Sequence, residues 1–252
     1  MAAEELVLRA RGIYKGFGAV VAADDVNIDV PRGAVYSLIG SNGAGKTTFV
    51  NMVTGYIKPD KGSIEYKGND ITGEVPRQIA RMGIHRSFQI AQLCNGLSVL
   101  ENMMVAQAIN GEKPPSFFRP ASTAGSIAKA EATLERFGIA EFRGRAIAEL
   151  PGGVKKLLDI AMAMAGPTEI MLLDEPTSGV AADEKFPIMD RVVSALTDAG
   201  VTILFVEHDM EIVSRYAHRV LAFYAGRVIA NDEPAKVLAD DEVKRYVTGG
   251  AV

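Results

Sequence analysis

The segment Gly40–Thr47 constrains the fold of this chain more than any other. It reads GSNGAGKT, which fits the pattern G-x-x-x-x-G-K-[ST]. The apolar run Ala34–Ile39 precedes it and TTFVNMV begins at its end, so a predicted buried strand leads into it and a predicted helix follows. Glycines let a backbone curl until successive N–H groups point inward, and a helix start adds partial positive charge. The segment therefore predicts a loop that cradles phosphate groups.

Two residues of this loop have predicted roles of their own. The Lys46 ammonium group can meet β- and γ-phosphates, and the Thr47 hydroxyl can ligate Mg²⁺. Gly40, Gly43 and Gly45 supply the curl. The alternative interpretation is a glycine-rich turn that binds nothing, but the strand before it and the helix after it favour the phosphate site.

Two carboxylates follow a second predicted strand. Asp174 and Glu175 come directly after the apolar run Ile170–Leu173, and open parallel sheets bind ligands beyond the carboxyl ends of their strands. Asp174 can complete a Mg²⁺ shell, while Glu175 can orient and deprotonate a water molecule. A solvated turn at the strand end is the plain alternative. The phosphate-binding loop elsewhere in the chain favours the chemical role.

A third predicted strand, Val201–Val206, ends at Glu207, His208 and Asp209. If this strand lies beside the strand of Asp174, His208 points at the nucleotide and can donate a hydrogen bond to the γ-phosphate. A lone histidine is more often structural or a helix cap. Its position directly after the strand favours the functional role.

Strand-like and helix-like segments alternate along the chain, which indicates a parallel sheet covered by helices. A helical period over Glu184–Asp198 separates the second predicted strand from the third. From Ser98 to Ala165 the pattern is mostly helical, with Gly111–Ser126 as a Pro/Gly/Ser-rich connector. Short strands and turns over Leu6–Asn69 are typical of an antiparallel sheet. These patterns predict a nucleotide-type α/β core with an inserted helical subdomain.

Composition excludes several classes of protein. The 252 residues carry 27 Lys and Arg against 31 Asp and Glu, so the net charge of −4 argues against broad binding to nucleic acid. The one cysteine, Cys94, rules out an internal disulfide and suits a reducing compartment. No apolar run approaches the roughly 18 residues of a membrane helix, and the acidic N-terminus is unlike a secretory signal. We expect a soluble protein that meets a membrane only through a partner.

The loop GSNGAGKTT, the segment IMLLDEPTSG and the segment VEHDM follow one another in an order that resembles the ATP-binding subunit of an ABC transporter. The resemblance covers essentially the whole chain. It implies a P-loop NTPase (RecA-like) core with an N-terminal antiparallel β subdomain and an inserted α-helical subdomain. Residues 1–252 would form one ABC ATPase domain, with 1–97 and 166–252 as the nucleotide-binding α/β core and 98–165 as the helical subdomain. ATP and Mg²⁺ are the implied cofactors.

The resemblance also implies site residues. Phe17 in YKGFGAV looks like the aromatic residue that stacks on adenine, with Tyr14 as a second candidate. Gln89 in RSFQ looks like the glutamine that reaches Mg²⁺ and the attacking water from a loop facing the membrane partner. The implied catalytic residues are Glu175 as general base, His208 and Gln89, and the implied Mg²⁺ ligands are Thr47, Gln89 and Asp174. The other implied ATP contacts are Gly40, Ser41, Asn42, Gly43, Ala44, Gly45, Lys46 and Thr48.

Within the family, QIARMGIHRSFQ and LSVLENMMVAQ are similar to the ATPases of branched-chain amino acid importers. The ATPases of urea, amide and aromatic-acid importers share that sequence pattern. The resemblance implies ATP hydrolysis that powers uptake of branched-chain amino acids or a similar small polar solute. The implied partners are transmembrane permease subunits, a second ABC ATPase in a homodimer or heterodimer, and indirectly a periplasmic binding protein. The chain would be cytoplasmic and peripheral on the inner face of the cell membrane.

The segment from Ile90 to Gly96 is predicted to face the membrane subunits. Leu93 and Leu97 are expected to be exposed apolar side chains of a docking patch, with Cys94 between them. The alternative is a core contact inside the helical subdomain, because leucine is usually buried.

The stretch that matches the family signature, usually LSGGQ, departs from it. Here it reads Leu150, Pro151, Gly152, Gly153 and Val154. Proline replaces the serine whose hydroxyl and backbone N–H contact the γ-phosphate held by the opposite subunit, and valine replaces the glutamine. Further departures are Ser41 in place of a common proline, Leu157 and Met162 where arginine is frequent, and Ala181 where Asn or Asp is usual.

Two other functions remain open at this point. A catalytically impaired subunit with a structural or regulatory role would suit the altered signature. A soluble ABC protein of DNA repair or translation would be expected to have two such domains, a coiled-coil insertion or zinc-binding cysteines, and the sequence has none of them.

Overall fold

The computed structural model of the chain describes residues 5–87, 93–110 and 123–249. The strands are β1 (Leu6–Phe17), β2 (Val20–Pro31), β3 (Val35–Gly40), β4 (Lys61–Tyr66), β5 (Asn69–Asp70), β6 (Ile84–Ser87), β7 (Ile170–Asp174), β8 (Thr202–Val206), β9 (Arg219–Tyr224) and β10 (Arg227–Asp232). The α-helices are α1 (Lys46–Val53), α2 (Pro76–Arg81), α3 (Val99–Asn110), α4 (Ala124–Arg136), α5 (Gly152–Ala163), α6 (Lys185–Thr197), α7 (Met210–Tyr216), α8 (Pro234–Ala239) and α9 (Asp241–Val243). Short 3₁₀ turns form at Ala140–Phe142 and Ile147–Glu149, and a π-helical turn at Lys244–Thr248.

The chain divides into two compact units, Met1–Ile79 with Gly200–Val252, and Ala80–Ala199. In the first unit, four strands run in the order β10-β9-β3-β8. Strand β3 is parallel to both β8 and β9, and β10 returns antiparallel to β9. Every residue of β3 and β8 is buried, as expected of parallel strands covered on both faces. The ring centroids of Phe49 on α1 and Phe223 on β9 are 5.9 Å apart in the core beside β3.

The same unit contains the predicted antiparallel sheet, with strand order β2-β1-β4-β5. Its inward side chains include Leu8, Ala10 and Ile13 of β1, which are almost fully buried. Strand β1 pairs with β2 on one side and β4 on the other. The prediction of an antiparallel sheet over Leu6–Asn69 is confirmed, with β3 as the one strand of that range in the parallel sheet.

The second unit combines a parallel strand pair with a helical part. Strands β6 and β7 pair in parallel, α5 packs on β6, and α3 and α4 pack with α5. The side chains that form this core include Met103, Leu134, Phe137, Leu158, Ile160 and Met189. The mostly helical pattern predicted from Ser98 to Ala165 is therefore found in the described residues of that range.

One boundary differs from the prediction. Helix α4 begins at Ala124, inside the segment Gly111–Ser126 that the sequence indicates to be a connector. Thr123 Oγ1 accepts a hydrogen bond from the Ser126 amide over 3.1 Å, and Ser126 Oγ accepts one from the Thr123 amide over 2.9 Å. This reciprocal capping box starts a helix within the small polar residues. Residues 111–122 lie outside the described part of the chain.

Candidate functional site

The predicted phosphate-binding loop follows β3 in the first unit, and backbone packed against it fixes its curl. Gly40 has φ 154°, and a Cβ there would lie 2.5 Å from the Phe223 carbonyl oxygen. Gly45 has φ 109°, and its Cβ would lie 2.4 Å from the Ala22 carbonyl oxygen. Gly226 donates its amide to the Ala44 carbonyl over 3.0 Å. The loop therefore needs glycine at both ends, where neighbouring strands approach too closely for a side chain.

Lys46 is the first residue of α1, and its side chain closes the loop. Its Nζ donates to the carbonyl oxygen of Gly40 over 2.7 Å and to that of Ser41 over 3.1 Å. The residue is 6% exposed, so its charge is held against the loop and not in solvent. Thr47 is exposed at the start of the helix, where backbone amide groups and the helix dipole favour an anion.

The end of β8 lies at the same sheet edge as this loop, because β8 and β3 are parallel with Leu38 opposite Val206. Glu207 is buried, and its carboxylate accepts a hydrogen bond from the His208 amide over 3.1 Å. His208 itself is exposed. The structure thus brings His208 to the sheet edge that carries the loop, and its hydrogen bond to a γ-phosphate stays a prediction.

Both candidate aromatic residues lie in the antiparallel sheet of the first unit. Phe17 ends β1 at the turn into β2 and is 49% exposed, with Lys15 Nζ 5.4 Å from its ring centroid. Tyr14 has Lys61 Nζ 5.5 Å from its ring centroid. The exposure of Phe17 suits a ring that stacks on a planar ligand.

In the second unit, Asp174 is the last residue of β7, one residue beyond the predicted strand Ile170–Leu173, and Glu175 follows it. Glu175 has φ 47°, in the left-handed region, which is unfavourable for a non-glycine residue by about 1–2 kcal/mol. Its carbonyl accepts a hydrogen bond from the Ser178 amide over 3.0 Å. Such local strain, held in place by the surrounding turn, is common at functional sites.

Arg86 is a residue of this region that the sequence motifs do not single out. Its Nη2 donates to Oδ2 of Asp174 over 2.5 Å, and the two side chains are only 8% and 14% exposed. Arg86 precedes Gln89 by three residues, in RSFQ, but only the pairing of β6 with β7 reveals its partner. Gln89 lies outside the described residues, so its role stays a prediction.

The stretch that matches the signature opens α5. Pro151 is the N-cap residue, with φ −57° and ψ 153°, and it provides no side-chain hydrogen bond to the helix. Pro151 and Gly152 are exposed, whereas Gly153 is buried. A Cβ on Gly153 would lie 2.6 Å from Cδ1 of Ile188 on α6. Gly153 thus has a packing role as well as its predicted role in the signature.

The segment expected to face a membrane subunit is described only from Leu93 onward. Cys94 is exposed, but Leu93 and Leu97 are half-buried and not the exposed side chains that the sequence predicts. The buried Asn102 of α3 explains the difference, because its side chain accepts a hydrogen bond from the Cys94 amide over 2.8 Å and donates one to the Ser98 carbonyl over 2.9 Å. These bonds hold the segment against α3.

Thr47 in the first unit carries a hydroxyl and Asp174 in the second unit carries a carboxylate, and each is predicted to ligate a metal. Both are hard donors of the kind that Mg²⁺ prefers, and Mg²⁺ is commonly held by one or two protein oxygens together with substrate phosphates. Within residues 5–87, 93–110 and 123–249, no cluster of three or more His, Cys, Asp or Glu could hold a metal by itself. Each of these two oxygen donors, taken by itself, is of a kind that fits Mg²⁺ held partly by the phosphates of a nucleotide. Nor is any helix in these ranges long and apolar enough to cross a bilayer.

The parallel sheet, the glycine loop closed by lysine and the carboxylate at a strand end define a P-loop ATPase. The chain belongs to the ABC transporter family, since the family model described as "ABC transporter" matches residues 23–178 and curated relatives match it along nearly its whole length. It is an ATP-binding cassette, the domain that binds and hydrolyses ATP in that family.

Curated relatives and solved structures agree on this family. The chain is 35% identical over 253 residues to the high-affinity branched-chain amino acid transport ATP-binding protein LivG of Escherichia coli, covering 97% of this chain and 98% of that protein. It is 34% identical to the probable LivG of Archaeoglobus fulgidus, covering 96% and 95%. An ATP-binding cassette of an ABC transporter in its ADP conformation has a TM-score of 0.86 with 32% identity, covering 95% and 97%.

Proposed function

We propose that the chain is the ATP-hydrolysing subunit of an importer that takes up branched-chain amino acids or a similar small polar solute. The observation that carries this proposal is the loop closed by Lys46 over the carbonyl of Gly40, in a chain that aligns almost end to end with branched-chain amino acid transport ATP-binding proteins. Membership of the family indicates ATP hydrolysis, and the names of these relatives indicate the class of solute.

The residues of the first unit bind the nucleotide. Lys46 and the amide groups from Gly40 to Thr48 contact the β- and γ-phosphates, with the remaining loop residues Ser41, Asn42, Gly43, Ala44, Gly45 and Thr47 forming the cradle. Phe17 stacks on adenine from its exposed position. His208, at the same sheet edge as the loop, donates a hydrogen bond to the γ-phosphate.

Hydrolysis depends on the carboxylates that follow β7. Glu175 accepts a proton from the attacking water, and Gln89 helps to position that water. Thr47, Asp174 and Gln89 provide oxygen ligands for Mg²⁺. A Mg²⁺ ion held by these residues would supply positive charge that stabilises the phosphates during hydrolysis.

The altered signature supports a second candidate role, that of an impaired subunit. In an ABC dimer, Leu150–Val154 would meet the nucleotide on the partner's loop. Pro151 has neither a hydroxyl nor a backbone N–H to donate, so a homodimer would have two weakened sites. A heterodimer with a related ATPase would keep one strong site, the one that contains Lys46, Glu175 and His208 of this chain. We favour the heterodimer.

The same proposal places the chain on the inner face of the cell membrane, as one ABC ATPase domain bound to transmembrane permease subunits. The helical subdomain, residues 98–165, would dock on the permease, and residues 1–97 with 166–252 would bind nucleotide. A periplasmic binding protein would deliver the solute to the permease without touching this chain.

Uptake by the assembled transporter in liposomes tests the proposal. We expect ATP inside the vesicles to drive uptake of labelled leucine, and we expect Glu175→Gln in this chain to reduce it. Urea and benzoate serve as competing substrates. ATP-driven uptake of urea or benzoate without leucine would contradict the assignment to branched-chain amino acids and favour the urea, amide or aromatic-acid alternative. No ATP-driven uptake of any of them would contradict the importer.

A further inference from the structure

The pairing of β6 with β7 brings Arg86 to Asp174. The two strands are parallel and in register, with Arg86 opposite Leu172. Side chains two residues apart in a strand lie on the same face, so Arg86, Leu172 and Asp174 share one face of the pair. A long arginine side chain reaches the diagonal position from there, and its Nη2 contacts Oδ2 of Asp174.

This contact is nearly shielded from solvent. The Arg86 side chain is 8% exposed and that of Asp174 is 14% exposed. Separating a buried ion pair is unfavourable, because each charge has been removed from water. Arg86 also extends from a strand whose backbone is paired with β7, so the base of its side chain is fixed beside Asp174. The contact is therefore expected to persist when nucleotide binds.

A carboxylate held through one oxygen presents the other in a fixed direction. In the described part of the chain, the hydrogen bond from Arg86 to Asp174 is made to Oδ2, so Oδ1 takes no part in this contact. Metal-ligating carboxylates are commonly oriented by such an outer hydrogen bond, and losing the outer partner weakens metal affinity by about 10- to 100-fold.

We propose that Arg86 is a positioning residue for the magnesium site: it holds Oδ2 of Asp174 so that Oδ1 is presented to the metal or its water shell. The inference rests on the proposed function, in which Asp174 contributes to that site. Arg86 contacts neither the nucleotide nor the metal in this role. The opposite role, in which Arg86 competes with the metal for Asp174, predicts tighter metal binding when the arginine is removed.

Metal affinity measured apart from turnover distinguishes these roles. The full-length chain is loaded with ADP, and Mn²⁺ binding is followed by electron paramagnetic resonance for wild type, Arg86→Met, Arg86→Lys, Asp174→Asn and the double variant Arg86→Met with Asp174→Asn. ADP affinity in EDTA is measured in parallel. Thermal unfolding identifies any variant that fails to fold, and Arg86→Lys provides a test that keeps a charge at this position.

We expect Arg86→Met to weaken Mn²⁺ binding by about 10- to 100-fold, with ADP affinity in EDTA unchanged and partial recovery in Arg86→Lys. In the Asp174→Asn background, Arg86→Met should have little further effect. Unchanged or tighter Mn²⁺ binding in both Arg86 variants would overturn the positioning role alone. Unchanged Mn²⁺ binding in Asp174→Asn would overturn the proposed magnesium ligand and this inference with it.

Discussion

The ammonium group of Lys46 lies 2.7 Å from the carbonyl oxygen of Gly40, six residues earlier in the chain. The side chain proposed to bind phosphates therefore also closes the loop that surrounds them. Because the residue is only 6% exposed, its charge is largely removed from water. This arrangement favours strong electrostatic contact with an anion.

Lys46→Ala is expected to weaken ATP binding. A hydrogen bond to a charged group contributes about 1.5–3 kcal/mol, which corresponds to a loss of about 10- to 150-fold in affinity. Equilibrium titration with a fluorescent ATP analogue measures the change. Lys236→Ala, which removes an exposed lysine from α8, is the matched control and should bind like wild type. Equal affinity in the two variants would contradict the assignment of Lys46.

Glu175→Gln is expected to retain bound ATP and lose hydrolysis by at least about 100-fold, since an amide cannot accept the proton from water. The substitution leaves the backbone at φ 47° with a side chain of similar size, so the melting temperature should hardly change. Phosphate release and ATP retention are measured on the same sample. Wild-type turnover in this variant would show that Glu175 is not the base.

Restoring the signature is expected to speed turnover of the isolated chain. Pro151→Ala restores only a backbone N–H, whereas Pro151→Ser also restores a hydroxyl and a better helix cap. Each recovered hydrogen bond to a charged phosphate corresponds to roughly ten- to a hundredfold in rate. We expect turnover to be lowest in wild type, higher in Pro151→Ala, and highest in the double variant Pro151→Ser with Val154→Gln. A wild-type chain as fast as this last variant would mean that Gly152 and Gly153 suffice.

Stability should fall at acid pH partly because of His85. Burial lowers the pKa of this histidine, and the hydrogen bond between its Nε2 and the Pro167 carbonyl, at 3.0 Å, opposes part of that change. A histidine whose pKa is lower in the folded state than in the unfolded state contributes to stability at pH values above its unfolded pKa of about 6.5. That contribution is lost as the pH falls from there through the folded value.

The melting temperature of wild type and His85→Gln, compared at pH 7.5 and pH 5.5, measures this contribution. Glutamine can still donate to the Pro167 carbonyl but does not titrate. We expect wild type to lose more stability between the two pH values than the variant. Identical pH profiles would mean that His85 does not contribute.

Cys94 should react with a maleimide in the isolated chain, because it is exposed. If its segment docks on a permease, assembly of the transporter should reduce that labelling, and a short bifunctional reagent should join Cys94 to the permease. A cysteine placed at the exposed Lys67 in a Cys94→Ser chain is the control. Equal labelling of Cys94 with and without the permease would argue against docking there.

The sequence predicts those parts of the structure that depend on local patterns of residues close together in the chain. The apolar runs before Gly40 and Asp174 form β3 and β7, and the helical period over Glu184–Asp198 gives α6 as Lys185–Thr197. A glycine-rich loop between strand and helix has few alternatives, so its position is fixed by local pattern alone.

The remaining features depend on contacts between distant segments. The ion pair of Arg86 with Asp174 joins residues 88 positions apart and follows from the register of two strands. The burial of Leu93 and Leu97 depends on the hydrogen bonds of Asn102, which no motif contains. The left-handed backbone at Glu175 follows from the turn around it, since glutamate itself disfavours that conformation.

Ala22 and Gly226 lie next to each other and pack against the phosphate-binding loop at Gly45 and Ala44, so contacts within the chain help to set the shape of the loop. A receptor already in its binding shape needs little reorganisation to accept an anion. ADP and ATP share the phosphates that such a loop encloses, and the loop alone therefore selects weakly between them. Discrimination between ADP and ATP then depends on groups outside the loop that contact the terminal phosphate, such as His208.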